Sequence, residues 1–257
     1  MEYRLGIVLS GGGARAAGHI GVLKALAEEG IEPDCFSGTS GGAIVGALAA
    51  AGYSPEEMLE FFETRSPFRL SKLALRKPGF IDTEKVQRDF REFFPDDSFE
   101  ALDRKLFVAA TDIENARLEI FSTGPLIPAV VASASVPAVF TPTPVGDRLF
   151  SDGGIVDNLP VEPLIGLCDH IVGVYANPVR TVDRKHLKSS FAVSLRAFEV
   201  ASYNASRRKF HLCDLLLCPE EIGHFGTFST KHLGEILDVG YRAARKRMPE
   251  IRSLLSS

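Results

Sequence analysis

The chain has 257 residues, 45% of them hydrophobic and 24% charged, and a net charge of −4. These values exclude a disordered or collagen-like polymer and leave no overall positive field to draw in nucleic acid. Glycine is unevenly placed: 12 of the 23, at positions 6, 11, 12, 13, 18, 21, 30, 38, 41, 42, 46 and 52, fall in the first 52 residues, so that stretch makes special backbone demands.

Leu5-Gly6-Ile7-Val8-Leu9 is a short apolar run that stops at glycines, which predicts a buried parallel strand. From Gly18 onward Ile20, Val22, Leu23, Leu26 and Ala27 take helical spacing, with Gly30 as the stop. Cys35-Phe36-Ser37 reads as a second strand, and residues 40–51 as a helix of small residues ended by Gly52. A βαβα opening implies a parallel sheet with helices on both faces, hence an α/β, three-layer sandwich. Ser54-Pro55-Glu56-Glu57 caps a helix to about residue 63. A basic loop is expected at 65–77 and a helix at 82–94. Residues 106–112 and 118–121 read as strands, 126–135 as a helix bounded by Pro128 and Pro137, and 145–150 as a hairpin. Further strands are expected at 171–175 and 215–217, and helices near 190–209 and 231–246. With no repeat or linker, residues 1–257 read as one domain.

The apolar run after Met1-Glu2-Tyr3-Arg4 is too short for a signal peptide. The uncharged stretches 35–55 and 121–146 have the length of a membrane span but are broken by glycines, hydroxyls and prolines. Cys35, Cys168, Cys213 and Cys218 match no zinc spacing and read as reduced thiols. A cytoplasmic protein with no metal or cofactor is therefore expected. Residues 180–209 carry eight Lys or Arg against Asp183 and Glu199. That segment is either a solvated face or a site of peripheral, reversible contact with anionic lipid headgroups. Oligomeric state leaves no mark in the sequence.

Gly38-Thr39-Ser40-Gly41-Gly42 fits G-x-S-x-G between a strand and a helix. Such a turn strains the serine, needs the glycines at 38 and 42 to avoid collision, and exposes Oγ at a helix N-terminus. Ser40 is thus the candidate nucleophile. Ser10-Gly11-Gly12-Gly13-Ala14-Arg15 follows the first strand, and its backbone N–H groups suit an anion. It lacks the Lys and Ser/Thr of a P-loop. As a dinucleotide fingerprint, Gly11, Gly13 and Ala16 fit, with Glu32 or Asp34 as the ribose acid. As an oxyanion hole, Gly11, Gly12 and Gly13 would serve the acyl intermediate that Ser40 forms, and the neighbouring elbow favours this use.

A serine nucleophile needs a base. A Ser–His–Asp triad would draw on His170, His186, His211, His224 or His232, none of which sits in a recognisable loop signature. Asp152, followed by Gly153 and Gly154, is placed for a two-residue dyad, provided burial raises its pKa. Asp112 and Asp157 are less well placed, Arg15 is expected to support the glycine loop, and His19 reads as structural. Gly6 has no evident role.

Gly11-Gly12-Gly13-Ala14-Arg15, with Gly18-His19-Ile20-Gly21-Val22-Leu23 after it, resembles the anion-binding opening of bacterial patatin-like phospholipases. Gly38-Thr39-Ser40-Gly41-Gly42 resembles their elbow, residues 132–140 (ASASVPAVF) their Ser/Pro block, and Asp152-Gly153-Gly154 their D-G-[GA] motif. The order matches from about residue 5 to 160. The resemblance implies a patatin-like fold, a Ser40–Asp152 dyad, an oxyanion hole from Gly11, Gly12 and Gly13, and hydrolysis of lipid or small acyl esters. Ala16 departs from the glycine that many relatives carry after the arginine; its methyl adds bulk beside the loop but leaves the three preceding N–H groups available.

Overall fold

The sheet is built from β1 (Tyr3–Leu9), β2 (Cys35–Thr39), β3 (Lys105–Asp112), β4 (Arg117–Phe121), β5 (Thr143–Val145), β6 (Arg148–Asp152), β7 (Cys168–Val174) and β8 (Leu215–Leu217). These come from a computed structural model, in which residues 1–65 and 81–256 are described. Of the basic loop expected at 65–77, all but Arg65 lies outside the described residues. The strand order is β5-β6-β3-β2-β1-β7-β8, with β4 also paired to β3. The pairs β1–β2, β1–β7, β2–β3 and β7–β8 are parallel, and those of β4, β5 and β6 are antiparallel. The expected α/β architecture with a mainly parallel sheet is observed.

The helices are α1 (Ala17–Ala27), α2 (Gly41–Ala50), α3 (Pro55–Thr64), α4 (Thr83–Phe90), α5 (Leu126–Ser133), α6 (Ser190–Arg207) and α7 (Leu233–Leu255). The two faces of the sheet are unequally covered. Leu5, Ile7 and Leu9 of β1 join α1, α2, α5 and α7 in one large core, whereas Val8 faces Leu159, Val161, Leu164 and Tyr175 in a smaller one. That alternation is the period-two pleat of a strand buried on both sides. The second face is covered chiefly by short turns, with Tyr203 of α6 and Phe210 against it.

Local chemistry fixes the ends. Gly30 and Gly52 adopt φ of 66° and 83° just past α1 and α2, the left-handed stop that glycine supplies. Ser54 and Glu57 close a reciprocal capping box on α3. Gly6 is explained by close packing, since a Cβ there would lie 2.7 Å from Cys168 Sγ. The Cys35 thiol in turn donates toward Cys168. All four cysteines are free.

Three expected helices differ in extent. α4 ends at Phe90 rather than 94, because the N–H groups of Phe93 and Phe94 both turn back to the Phe90 carbonyl. The rings of Phe61, Phe90 and Phe93 then meet edge to face. Pro128 lies inside α5 instead of bounding it, in the first turn, where a missing N–H breaks no helical bond. α7 continues past 246 to Leu255 through Pro249. That proline is exposed, so the carbonyl it frees meets water.

Candidate active site

The sharp turn between β2 and α2 leaves Ser40 at φ 55°, ψ −125°, a region that non-glycine residues enter only when their surroundings enforce it. The enforcement is visible. The Ser40 N–H donates to Ser133 Oγ at 2.8 Å, and the Ser133 hydroxyl donates to the Ala109 carbonyl at 2.6 Å. Thr39 Oγ1 donates to the Asp157 carbonyl at 2.9 Å. A Cβ on Gly38 would stand 2.7 Å from the Gly42 carbonyl, and one on Gly42 would stand 2.2 Å from that of Leu9. The glycines expected at 38 and 42 for steric reasons are therefore required by backbone on both sides of the serine.

Asp152 reaches the same point through the sheet. Thr39 of β2 pairs with Ala109 of β3, and Asp152 of β6 pairs with Ala110, the next residue. β2 runs parallel to β3 and β6 antiparallel to it, so Thr39 and Asp152 come to the same end of β3 from opposite directions. Asp152 Oδ1 accepts the Gly154 N–H at 2.8 Å, while Oδ2 is buried and closes no hydrogen bond. Burial pushes the carboxyl up to about 7, against the lowering effects of the nearby Ser40 hydroxyl and the Gly154 N–H. A carboxylate at that value is a competent base near neutral pH. Gly153 is forced by the close approach of the Ala109 carbonyl, 2.2 Å from where its Cβ would be. Asp112 and Asp157, by contrast, are engaged with Arg148 and Lys209 respectively.

In the glycine loop the three expected donors divide. The Gly11 N–H is taken by the Asn158 carbonyl at 3.3 Å and that of Ala14 by the Thr227 carbonyl at 2.7 Å. Those of Gly12 and Gly13 have no acceptor among the described residues. Gly11 is thus withdrawn from donation, its space being needed by Asn158 Oδ1, 2.3 Å from a Cβ there. Ala16 does not crowd the loop, since its methyl packs over Gly41 in place of a side chain. Arg15 donates to the Phe225 carbonyl at 2.8 Å and to Asn177 Oδ1 at 2.5 Å. It therefore ties the loop to the 225–228 segment rather than bonding the loop's own carbonyls. His19 is fully buried with Nε2 2.8 Å from the Ser10 carbonyl, and burial lowers it to about 4. It acts as a neutral strut beneath the loop.

Gly12, Gly13, Ser40, Asp152 and Asn158 line one small cavity, closed by Leu195, Phe198 and Glu199 of α6 and by Thr227 and Phe228. Its volume is about 20 Å³, room for roughly one water molecule. Asn158 and Asn177, which no motif singled out, enter the site through contacts that only the fold creates. No histidine lines the cavity, so none of the five candidates reaches Ser40 here. Asp34 accepts N–H groups from Arg4 and Leu5, and Glu32 pairs with Arg104. Both precede β2, at the end of the parallel strands opposite the glycine loop, where a ribose bound at that loop cannot meet them. A larger hollow, about 620 Å³ between β8 and α7, is lined by His224 but by neither Ser40, Asp152 nor the glycine loop.

Residues 7–165, more than half the chain, match the family model described as patatin-like phospholipase. An NTE family protein of Mycobacterium bovis is 35% identical over 166 residues, covering 64% of this chain and 46% of its own. Another, of Mycobacterium tuberculosis, is 29% identical over 273 residues, covering 94% of this chain and 46% of its own. The chain thus spans about half the length of these curated relatives. Among solved structures, human GIVD cytosolic phospholipase A2 in complex with methyl gamma-linolenyl fluorophosphonate aligns with a TM-score of 0.55 at 12% identity. The alignment covers 99% of this chain and 59% of that one, a likeness of fold.

Proposed function

The chain belongs to the patatin-like phospholipase family, and from that premise we propose that it hydrolyses lipid acyl esters of the phospholipid or lysophospholipid class through a Ser40–Asp152 dyad. The observation that supports the reading is that Ser40, held in its strained turn, and the buried Asp152 carboxyl line one cavity, close enough for the hydroxyl to act on the carboxyl. Ser40 Oγ attacks the ester carbonyl carbon as its proton passes to Asp152. The carbonyl oxygen takes the negative charge and is received by the N–H groups of Gly12 and Gly13, aided by the N-terminal dipole of α2. The tetrahedral intermediate collapses, and the leaving alkoxide departs with the proton that Asp152 returns. A water then gives a proton to Asp152 and attacks the acyl carbon, and as the fatty acid leaves Asp152 passes that proton to Ser40 Oγ, restoring the dyad. Gly38, Gly42 and Gly153 support this geometry through close backbone approach, Gly154 through its N–H to Asp152, and Arg15 through its tie to residue 225.

The test is covalent labelling with a fluorophosphonate. Wild type is expected to label, Ser40→Ala to lose the label, and Asp152→Asn to label far more slowly. A wild type that folds and takes up no label, or a label retained in Ser40→Ala, would overturn the dyad.

A further inference from the structure

We propose that α6 is a lid over the Ser40 cavity whose outward face adsorbs to an anionic lipid surface. The proposal rests on reading the cavity as the site of lipid ester hydrolysis and says how the substrate gains entry. In the closed arrangement Ser40 is 4% exposed, and a one-water cavity admits no acyl chain. Leu195, Phe198 and Glu199 of α6 form its outer wall, so α6 must move for an ester to reach Oγ.

The attachment of α6 suits that movement. Over 18 residues its only buried side chains are Ser202 and Ser206, whereas the eight-residue α5 buries seven. Leu195 and Phe198 pack half-buried on the main core and Tyr203 on the smaller one, but no apolar side chain of α6 is fully buried, and such a helix opens at lower cost than one embedded in the core. Near the cavity a polar latch adds to the packing of Leu195 and Phe198. Glu199 accepts from Thr227 Oγ1 at 3.1 Å, pairs with Arg196 at 3.3 Å, and lies 3.9 Å from Arg15 of the glycine loop.

The opposite face has a composition that water does not favour. Arg196 and Glu199 turn inward to each other, and the exposed positions from 190 to 206 carry no charge. Val193 and Val200, seven residues apart and therefore on one stripe, are 50% and 38% exposed, with Ala197, Ala201 and Asn204 also exposed along the helix. Cations stand at both ends. Arg180, Arg184 and Lys188 precede the helix and Arg207 and Arg208 end it. All five are exposed, with no ion-pair partner among the described residues. The basic residues of 180–209 that are paired, Lys185, Arg196 and Lys209, are held by Asp183, Glu199, and Asp157 with Glu162. An uncharged stripe flanked by free cations is complementary to a bilayer with anionic headgroups, the stripe meeting the acyl boundary and the cations the phosphates.

Vesicle sedimentation and Ser40 labelling separate the parts of the proposal. The full chain should sediment with vesicles of phosphatidylcholine plus phosphatidylglycerol and much less with phosphatidylcholine alone. Val193→Glu/Val200→Glu, and independently Arg184→Glu/Lys188→Glu/Arg207→Glu/Arg208→Glu, should weaken that binding by about tenfold or more. Both should leave hydrolysis of a short soluble ester unchanged. Anionic vesicles should accelerate fluorophosphonate labelling of Ser40 in wild type and in neither variant. Absence of vesicle binding by wild type, or equal binding by the folded variants, would overturn the surface. A change of oligomeric state in Val193→Glu/Val200→Glu without a change in vesicle binding would assign the face to a second copy and overturn it as well. Binding without accelerated labelling would overturn the lid. Vesicle binding with no labelling or soluble-ester hydrolysis under any condition would overturn the hydrolase reading while leaving the surface standing.

Discussion

The hydroxyl of Ser133 accepts the backbone N–H of Ser40 at 2.8 Å while donating its own proton to Ala109 at 2.6 Å. Ser133 thus links the strained serine to the β3 residue beside the one that pairs with Asp152. Removing the hydroxyl leaves the Ser40 N–H unpaired in a buried place and relaxes a side-chain restraint on its backbone. Ser133→Ala should lower kcat about tenfold, the loss of roughly 1.4 kcal/mol expected for one such bond, with KM nearly unchanged. Steady-state kinetics on a soluble ester checks this. A selective rise in KM would instead place Ser133 in substrate binding.

The pH dependence of activity follows from Asp152. The dyad needs the ionised carboxylate, and burial pushes that group up to about 7. The value of kcat/KM should therefore rise with pH through an apparent pKa near 7 and level off above it. A profile already flat at about pH 5 would mean that the base titrates lower, or is another group.

Stability should respond in the opposite sense. The folded chain holds the Asp152 proton more tightly than the unfolded chain does, so ionising this group removes stability as pH rises from about 4 to about 7. His19, lowered to about 4 by burial, works the other way. The unfolded chain takes up that proton first, and stability is lost as pH falls from about 6.5 to about 4. Asp152→Asn keeps the shape and an acceptor for Gly154 but removes the buried charge. Its Tm should match wild type near pH 4 and exceed it by several degrees near pH 8, with activity abolished. Equal or lower stability at the alkaline end, measured by thermal unfolding, would contradict the raised value.

The parts of the site that lie within one turn of backbone are legible from residue order. Gly38 is constrained by its own elbow, Gly42 by the Leu9 and Ser10 carbonyls of the adjoining strand and loop, and Gly153 by the β3 carbonyl that the D-G-G turn must pass. What residue order does not supply comes from distant segments folded onto that frame. Gly11 carries the same chemistry as Gly12 and Gly13, yet its N–H faces Asn158, far along the chain. Ser133 lies in the Ser/Pro block that the sequence displays, but its bond to Ser40 depends on how α5 packs against β3. The extents of α4 and α7 depart from the helical periodicity for a related reason. The Phe93 N–H shifts to the carbonyl three residues back while its ring packs on Phe61, and an exposed position lets Pro249 be tolerated.

Two glycines that meet the loop from different sides should separate activity from folding. At Gly12 φ is 167°, outside the left-handed region, and an added Cβ would stand 3.2 Å from the Ala176 carbonyl and 3.4 Å from Arg15 Cβ. That contact requires a shift of a few tenths of an ångström, within reach of a folded loop. The shift moves the N–H groups aimed at the oxyanion, however, and the loss of one such donor costs about 3 kcal/mol of transition-state stabilisation. Gly12→Ala should therefore fold with a Tm close to wild type and lose roughly a hundredfold or more in kcat. At Gly42 a Cβ would stand 2.2 Å from the Leu9 carbonyl and 2.5 Å from that of Ser10, and neither strand nor loop can retreat without breaking the β1–β2 ladder. Gly42→Ala should lower stability by about 3 kcal/mol or more, visible as a large fall in Tm before any assay is run. A Gly12→Ala variant that keeps full kcat would remove its N–H from the oxyanion site, whereas a stable Gly42→Ala would show that the elbow and glycine loop are farther apart than this packing requires.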